Sequence, residues 1–131
     1  MDNRVKYWLE LADYDLITAE AMLQTKRYLY VGFMCHQIAE KSIKALYVKK
    51  KNATPPYSHN LRYLLEESGI INEIDKTYLN LISELQPLNI ETRYPTYKEN
   101  IIKILTYEKC SELIINTRRF LEWIKSKLLE N

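Results

Sequence analysis

The sequence predicts an all-α bundle, and three observations lead there. Glycine and proline are scarce, two and four in 131 residues, while helix formers dominate; this favours long uninterrupted helices over a sheet with many turns. Apolar residues recur at helical spacing through both ends of the chain. Capping residues and prolines fall where those stripes begin and stop. The expected architecture is an antiparallel, up-and-down bundle of four main helices with a short extra one. A chain of this length fits a single domain, 1–131, that buries one core without staples.

The first helix is expected over 3–24. Val5, Trp8, Leu9, Ala12, Leu16, Ala19 and Leu23 form its apolar stripe, and Lys6, Glu10, Asp13, Glu20 and Gln24 its polar one. Lys26-Arg27 marks a turn, with basic residues suited to a helix C-terminus. A second helix follows from about Tyr28 to Lys50, with Gly32 inside it. That glycine costs ~1 kcal/mol against alanine, which close packing would offset. Pro55-Pro56 ends the pattern.

Ser58 is the expected N-cap of a short helix carrying Leu61, Leu64 and Leu65, stopped by Gly69. Asn72 is the expected cap of the next, with Asp75 in a capping-box position and a stripe of Ile74, Tyr78, Ile82 and Leu85 ending at Pro87. From about Leu88 to Leu105 no helical stripe is visible, and a loop of that length is uncommon and often functional. Thr106 then caps a last helix with the stripe Tyr107, Cys110, Leu113, Ile114, Thr117, Leu121, Ile124 and Leu128.

Composition excludes several classes. The net charge of +2, from 19 basic and 17 acidic residues, does not predict nucleic-acid binding without a local patch. No apolar run reaches the ~20 residues that cross a bilayer, and the N-terminus lacks a signal-peptide pattern. The expectation is a cytoplasmic protein with no membrane association. Cys35 and Cys110 fall on apolar stripes and read as reduced core residues. Two glycines cannot make a phosphate-cradling loop, so any nucleotide must be held by side chains. No cofactor and no metal site is expected.

The most particular segment is His36-Gln37-Ile38-Ala39-Glu40-Lys41-Ser42-Ile43-Lys44-Ala45-Leu46-Tyr47. Gln37, Glu40, Lys41, Lys44 and Lys51 share one side of an otherwise apolar helix, so that stripe is expected to border a cleft or a partner. Taken as an exposed i,i+4 pair, Glu40 and Lys44 would stabilise the helix by only ~0.3 kcal/mol. Arg93, just before Tyr94-Pro95, carries a donor fork suited to phosphate or carboxylate; it either ties the long segment to Glu40 or contacts a ligand. Pro95 restricts Tyr94. His59 is the one weak catalytic candidate, since imidazole transfers protons near neutral pH, with capping or packing as its other reading. His36 reads as a buried, hydrogen-bonded core histidine. Neither histidine has a sequence neighbour that spells a triad or a zinc site.

Taken in order, these landmarks resemble the HEPN family. The residues that carry the resemblance are Trp8 with Ala12, Asp15-Leu16 and Ala19; His36 through Lys41 with Lys44-Ala45; Ser58-His59-Asn60-Leu61; and Arg93-Tyr94-Pro95. The resemblance implies an antiparallel helical bundle, usually dimeric, and functions tied to nucleotides or RNA, often beside a minimal nucleotidyltransferase in a toxin–antitoxin-like system. Many ribonuclease members share an arginine followed after four to six residues by histidine. Here no histidine follows Arg93, and Arg27 precedes His36 by nine positions. The resemblance therefore implies a non-catalytic homodimeric binding protein that works with a nucleotidyltransferase. The alternatives are a metal-independent ribonuclease with a divergent site around His59, Arg93 and Tyr94, and a nucleotide-binding accessory protein. Glu40, Lys41, Lys44, His59, Arg93 and Tyr94 are the expected ligand- or partner-binding residues. The wide apolar arc of the second helix, with Tyr14 and Ile17 outside the first helix's stripe, also favours a homodimer.

Overall fold

A computed structural model describes residues 1–90 and 95–130, Thr96 by its backbone alone. Among the described residues it is an all-α bundle of six helices, where the sequence suggested four with a short fifth. They are α1 (Asn3–Gln24), α2 (Tyr28–Lys51), α3 (Leu61–Ser68), α4 (Lys76–Leu85), α5 (Pro95–Ile104) and α6 (Tyr107–Leu128). Single 3-10 turns at Ile70–Asn72 and Gln86–Leu88 flank α4.

Asp2 opens α1 by accepting from the Arg4 amide at 2.7 Å, and hydrogen bonds from the Arg4 side chain and backbone hold its carboxyl at about 2. Asn52 closes α2 in the left-handed conformation, at φ 51°, which asparagine tolerates better than most side chains. Its Oδ1 also accepts from Arg4 Nη2 at 2.6 Å, so the first turn of α1 meets the last turn of α2. Thr106 caps α6 as expected, accepting from the Lys109 amide at 3.1 Å.

Two caps differ from the sequence reading. Asn60, not Ser58, caps α3 by accepting from Tyr63 N; the Ser58 hydroxyl instead accepts from Asn60 N at 3.1 Å. Asp75, not Asn72, caps α4 through Thr77 N at 2.7 Å. Ile70 is fully buried and opens a 3-10 turn that takes up Asn72, so α4 starts three residues later than expected.

The larger difference is α5. Pro95 occupies its first position, where the missing N–H costs nothing. Ile101 and Leu105 are buried, and Tyr97 donates to the Pro87 carbonyl at 3.0 Å. Ile102 and Ile104 lie on the solvent side, which blurs the stripe and hides the helix from periodicity.

The wide apolar arc of α2 is covered within the chain. Ile38, Ile43, Leu46 and ten further α2 residues besides Glu40 are buried, packed against α1, α3 and α6. Gly32 permits part of this: a Cβ there would sit 3.2 Å from Leu88 Cδ1 and 3.4 Å from Leu105 Cδ1. Tyr14 and Ile17, by contrast, are 71% and 69% exposed, as their position outside the α1 stripe implied.

Cys35 and Cys110 are buried free thiols. Burial pushes them up to about 12 and about 11 respectively, so both stay protonated and unreactive near neutral pH. Beside Cys35, the Thr117 hydroxyl is buried with no hydrogen-bond partner of good geometry among the described residues. Removing an unsatisfied buried hydroxyl while keeping the side chain's shape should be favourable, so Thr117→Val is expected to raise stability by ~1 kcal/mol in urea denaturation. A loss instead would show that the Cys35 thiol is a genuine partner.

Candidate functional site

The middle of α2 places Glu40 and Lys44 one turn apart, pointing into the fold rather than along an exposed face. Their residues are 4% and 6% exposed, and Lys44 Nζ donates to Glu40 Oε2 at 3.1 Å. The reading of this pair as a helix-surface contact is thus corrected. Burial follows from geometry: Trp8 of α1 lies under the Lys44 ammonium, 5.4 Å from ring centroid to Nζ, where the face of the indole attracts a cation.

His59 completes the cluster from the proline-containing connection between α2 and α3. Its Nδ1 lies 2.8 Å from Glu40 Oε1, and beside a carboxylate that nitrogen must carry the proton. Glu40 therefore has one oxygen engaged by an ammonium and the other by an imidazole. The His59 side chain is 37% exposed, and its Nε2 makes no hydrogen bond among the described residues. Tyr57, 94% exposed, sets its ring edgewise to the imidazole with centroids 5.7 Å apart.

The backbone of His59 is anchored as well. Its carbonyl accepts from His36 Nε2 at 3.1 Å and from Gln86 Nε2 at 3.3 Å. Gln86 Oε1 in turn accepts from Leu61 N, the first residue of α3, at 2.7 Å. His36 is fully buried, as its sequence position implied. Gln86 and Trp8 are the site residues that sequence reasoning missed in these roles. The one available signal for Gln86 was a polar residue directly before Pro87, at the end of the α4 stripe.

Lys41 does not join Glu40. It turns to α1 and donates to Asp15 Oδ2 at 2.5 Å, a part-buried ion pair between α1 and α2. Arg93 and Tyr94 lie outside the described residues. The structure thus brings Glu40, Lys44 and His59 together and directs Lys41 elsewhere. Among the described residues no group of three or more His, Cys, Asp or Glu side chains is placed to hold a metal ion, and no helix is long and apolar enough to cross a membrane.

Chemically, the cluster consists of one carboxylate matched by one ammonium, with an imidazole whose orientation the carboxylate sets. Such a hydrogen bond fixes the tautomer and leaves Nε2 as the outward nitrogen. The arrangement is an internally neutralised buried ion pair that borders the surface at a single ring edge.

An all-helical bundle with this ordered set of landmarks defines a class, and comparison with known proteins gives the family. The chain belongs to the HEPN domain family, whose profile matches residues 5–127. Among solved structures it is similar to TT1696 from Thermus thermophilus, with 22% identity and a TM-score of 0.80 over 96% of this chain and 99% of that one. It is also similar to ST0689, an archaeal HEPN homologue, with 21% identity and a TM-score of 0.73 over 98% and 99%. At these identities the likeness is one of fold. No curated protein matches the chain.

Proposed function

We propose that this chain is a non-catalytic HEPN-type binding protein, acting as a cytoplasmic homodimer beside a minimal nucleotidyltransferase in a toxin–antitoxin-like or nucleotide-related system. The observation that carries the non-catalytic reading is the occupation of Glu40. Both of its oxygens are engaged from within the chain, by Lys44 and His59, so the polar stripe of α2 stabilises the fold instead of presenting charge to a substrate. Ion pairs support reading α1, α2, α4 and α6 as an up-and-down frame with α3 and α5 as additions. Lys125–Asp13 joins α6 to α1, Lys109–Glu84 joins the start of α6 to the end of α4, and Lys127–Glu73 joins the end of α6 to the turn that precedes α4.

The homodimer reading rests on α1. Tyr7, Tyr14 and Ile17 are exposed and spaced to share one face of that helix. An unpartnered apolar face of this kind is characteristic of an interface. The nucleotidyltransferase partner is what the family resemblance implies, and Arg93 and Tyr94 remain proposed contacts to it or to a nucleotide. At micromolar concentration, sedimentation equilibrium is expected to give twice the 15.7 kDa chain mass, and Tyr14→Glu with Ile17→Glu to give the monomer. A 15.7 kDa species from the unaltered chain would remove the homodimer. Co-purification with a nucleotidyltransferase encoded beside this chain tests the partner.

One observation favours the ribonuclease reading: Glu40 supplies the orienting carboxylate that His59 lacked in the sequence. A positioned imidazole contributes on the order of 10²–10⁴-fold. The expected result is nonetheless no robust RNA cleavage in EDTA, because the arginine–histidine pair of the ribonuclease members is absent from the sequence. Cleavage in EDTA that His59→Ala abolishes would make the protein an enzyme.

A further inference from the structure

We infer that the cleft between α4 and α6 binds a small polar molecule carrying an oxyanion, a phosphomonoester or a carboxylate on a sugar-sized body. It is an open cleft of about 460 Å³, within the volume range of small-molecule sites. None of its lining residues belongs to the Glu40 cluster, so it is a separate feature of the molecule.

Its donors are unspent. Arg119, exposed to solvent on α6, lines the cleft and has no ion pair or hydrogen bond to protein among the described residues, whereas its neighbour Arg118 is paired with Glu20. Asn80, Asn116 and Tyr78 line the same space, and their side chains likewise make no hydrogen bonds among the described residues. Each of the two carboxylates that line it has a partner within the chain. Asp75 caps α4 through Thr77 N at 2.7 Å, and Glu84 pairs with Lys109 at 2.5 Å.

The free guanidinium thus selects an anion, and its planar fork matches an oxyanion with two parallel hydrogen bonds. The amides and the phenol hydroxyl add hydrogen-bonding positions for hydroxyl groups. The cleft is also held in shape: the Tyr78 ring packs against Trp123 and Phe120, with centroids 5.3 and 5.7 Å away. The part of the wall that Tyr78 forms is therefore fixed before any ligand arrives.

Isothermal titration of the full chain with ribose 5-phosphate, gluconate and ribose tests the assignment. Saturable binding of ribose 5-phosphate, gluconate or both is expected, with none for ribose; which of the two binds separates phosphate from carboxylate. Arg119→Gln should weaken that binding at least about tenfold, the scale of a lost charge-assisted hydrogen bond, and Asn116→Leu should weaken it too. Arg118→Gln should leave it unchanged, and all three variants should keep the unaltered melting temperature within a few degrees. Absence of saturation by both anions, equal binding of ribose, or binding that survives Arg119→Gln would overturn the inference.

Discussion

Glu40→Ala is expected to lower folding stability by about 3–5 kcal/mol, because it leaves the Lys44 ammonium buried without its counter-charge. Lys44 is 6% exposed, so water offers little replacement, and the Trp8 face compensates only partly. The His59 imidazole loses the acceptor that orients it at the same time. Urea denaturation measures the loss directly. The double variant Glu40→Ala, Lys44→Met should recover much of it, since removing both charges abolishes the uncompensated one. A single-variant loss below about 1 kcal/mol would place the pair in the class of solvent-screened surface contacts.

Phe120→Ala should be comparably damaging, at about 3–5 kcal/mol, through lost burial and the cavity left behind. Phe120 is fully buried and packs against Tyr78 and Trp123, with centroids 5.7 and 6.0 Å away. It therefore supports the α4–α6 contact as well as the core. Against a total stability of about 5–15 kcal/mol for a domain, either substitution removes a large share. Ile115→Ala, on the exposed side of the same helix, should change the urea midpoint little. A matching loss at Ile115 would mean that the exposed side of α6 is covered in solution.

The three long helices were legible because their periodic stripes are long and the burial they imply is what packing required. The apolar arc of α2 was read correctly as a buried surface but assigned to a partner, when α1, α3 and α6 of the same chain cover it. Caps misled wherever two capping residues compete within a few positions, as Ser58 with Asn60 and Asn72 with Asp75. Helix α5 was hidden by isoleucines on its solvent side.

At the site, an i,i+4 spacing says that Glu40 and Lys44 meet but not how deeply, and depth changes the energetics several-fold. The pairing of Glu40 with His59 spans 19 positions and depends on how the proline-containing connection docks. No local pattern encodes that. Gln86, which holds the connection from the other side, shows in the sequence only as a polar residue before Pro87, with nothing local to give its partner.

That docking has a practical consequence for genetics. The connection is secured largely through the peptide carbonyl of residue 59, which receives hydrogen bonds from His36 and Gln86, and every amino acid at that position supplies the same carbonyl. Exchanging His59 for alanine thus strips away an imidazole while its scaffold of attachment persists. A phenotype of His59→Ala therefore reports on the ring, its hydrogen bond to buried Glu40 included, whereas one of Gln86→Ala reports on where the connection sits.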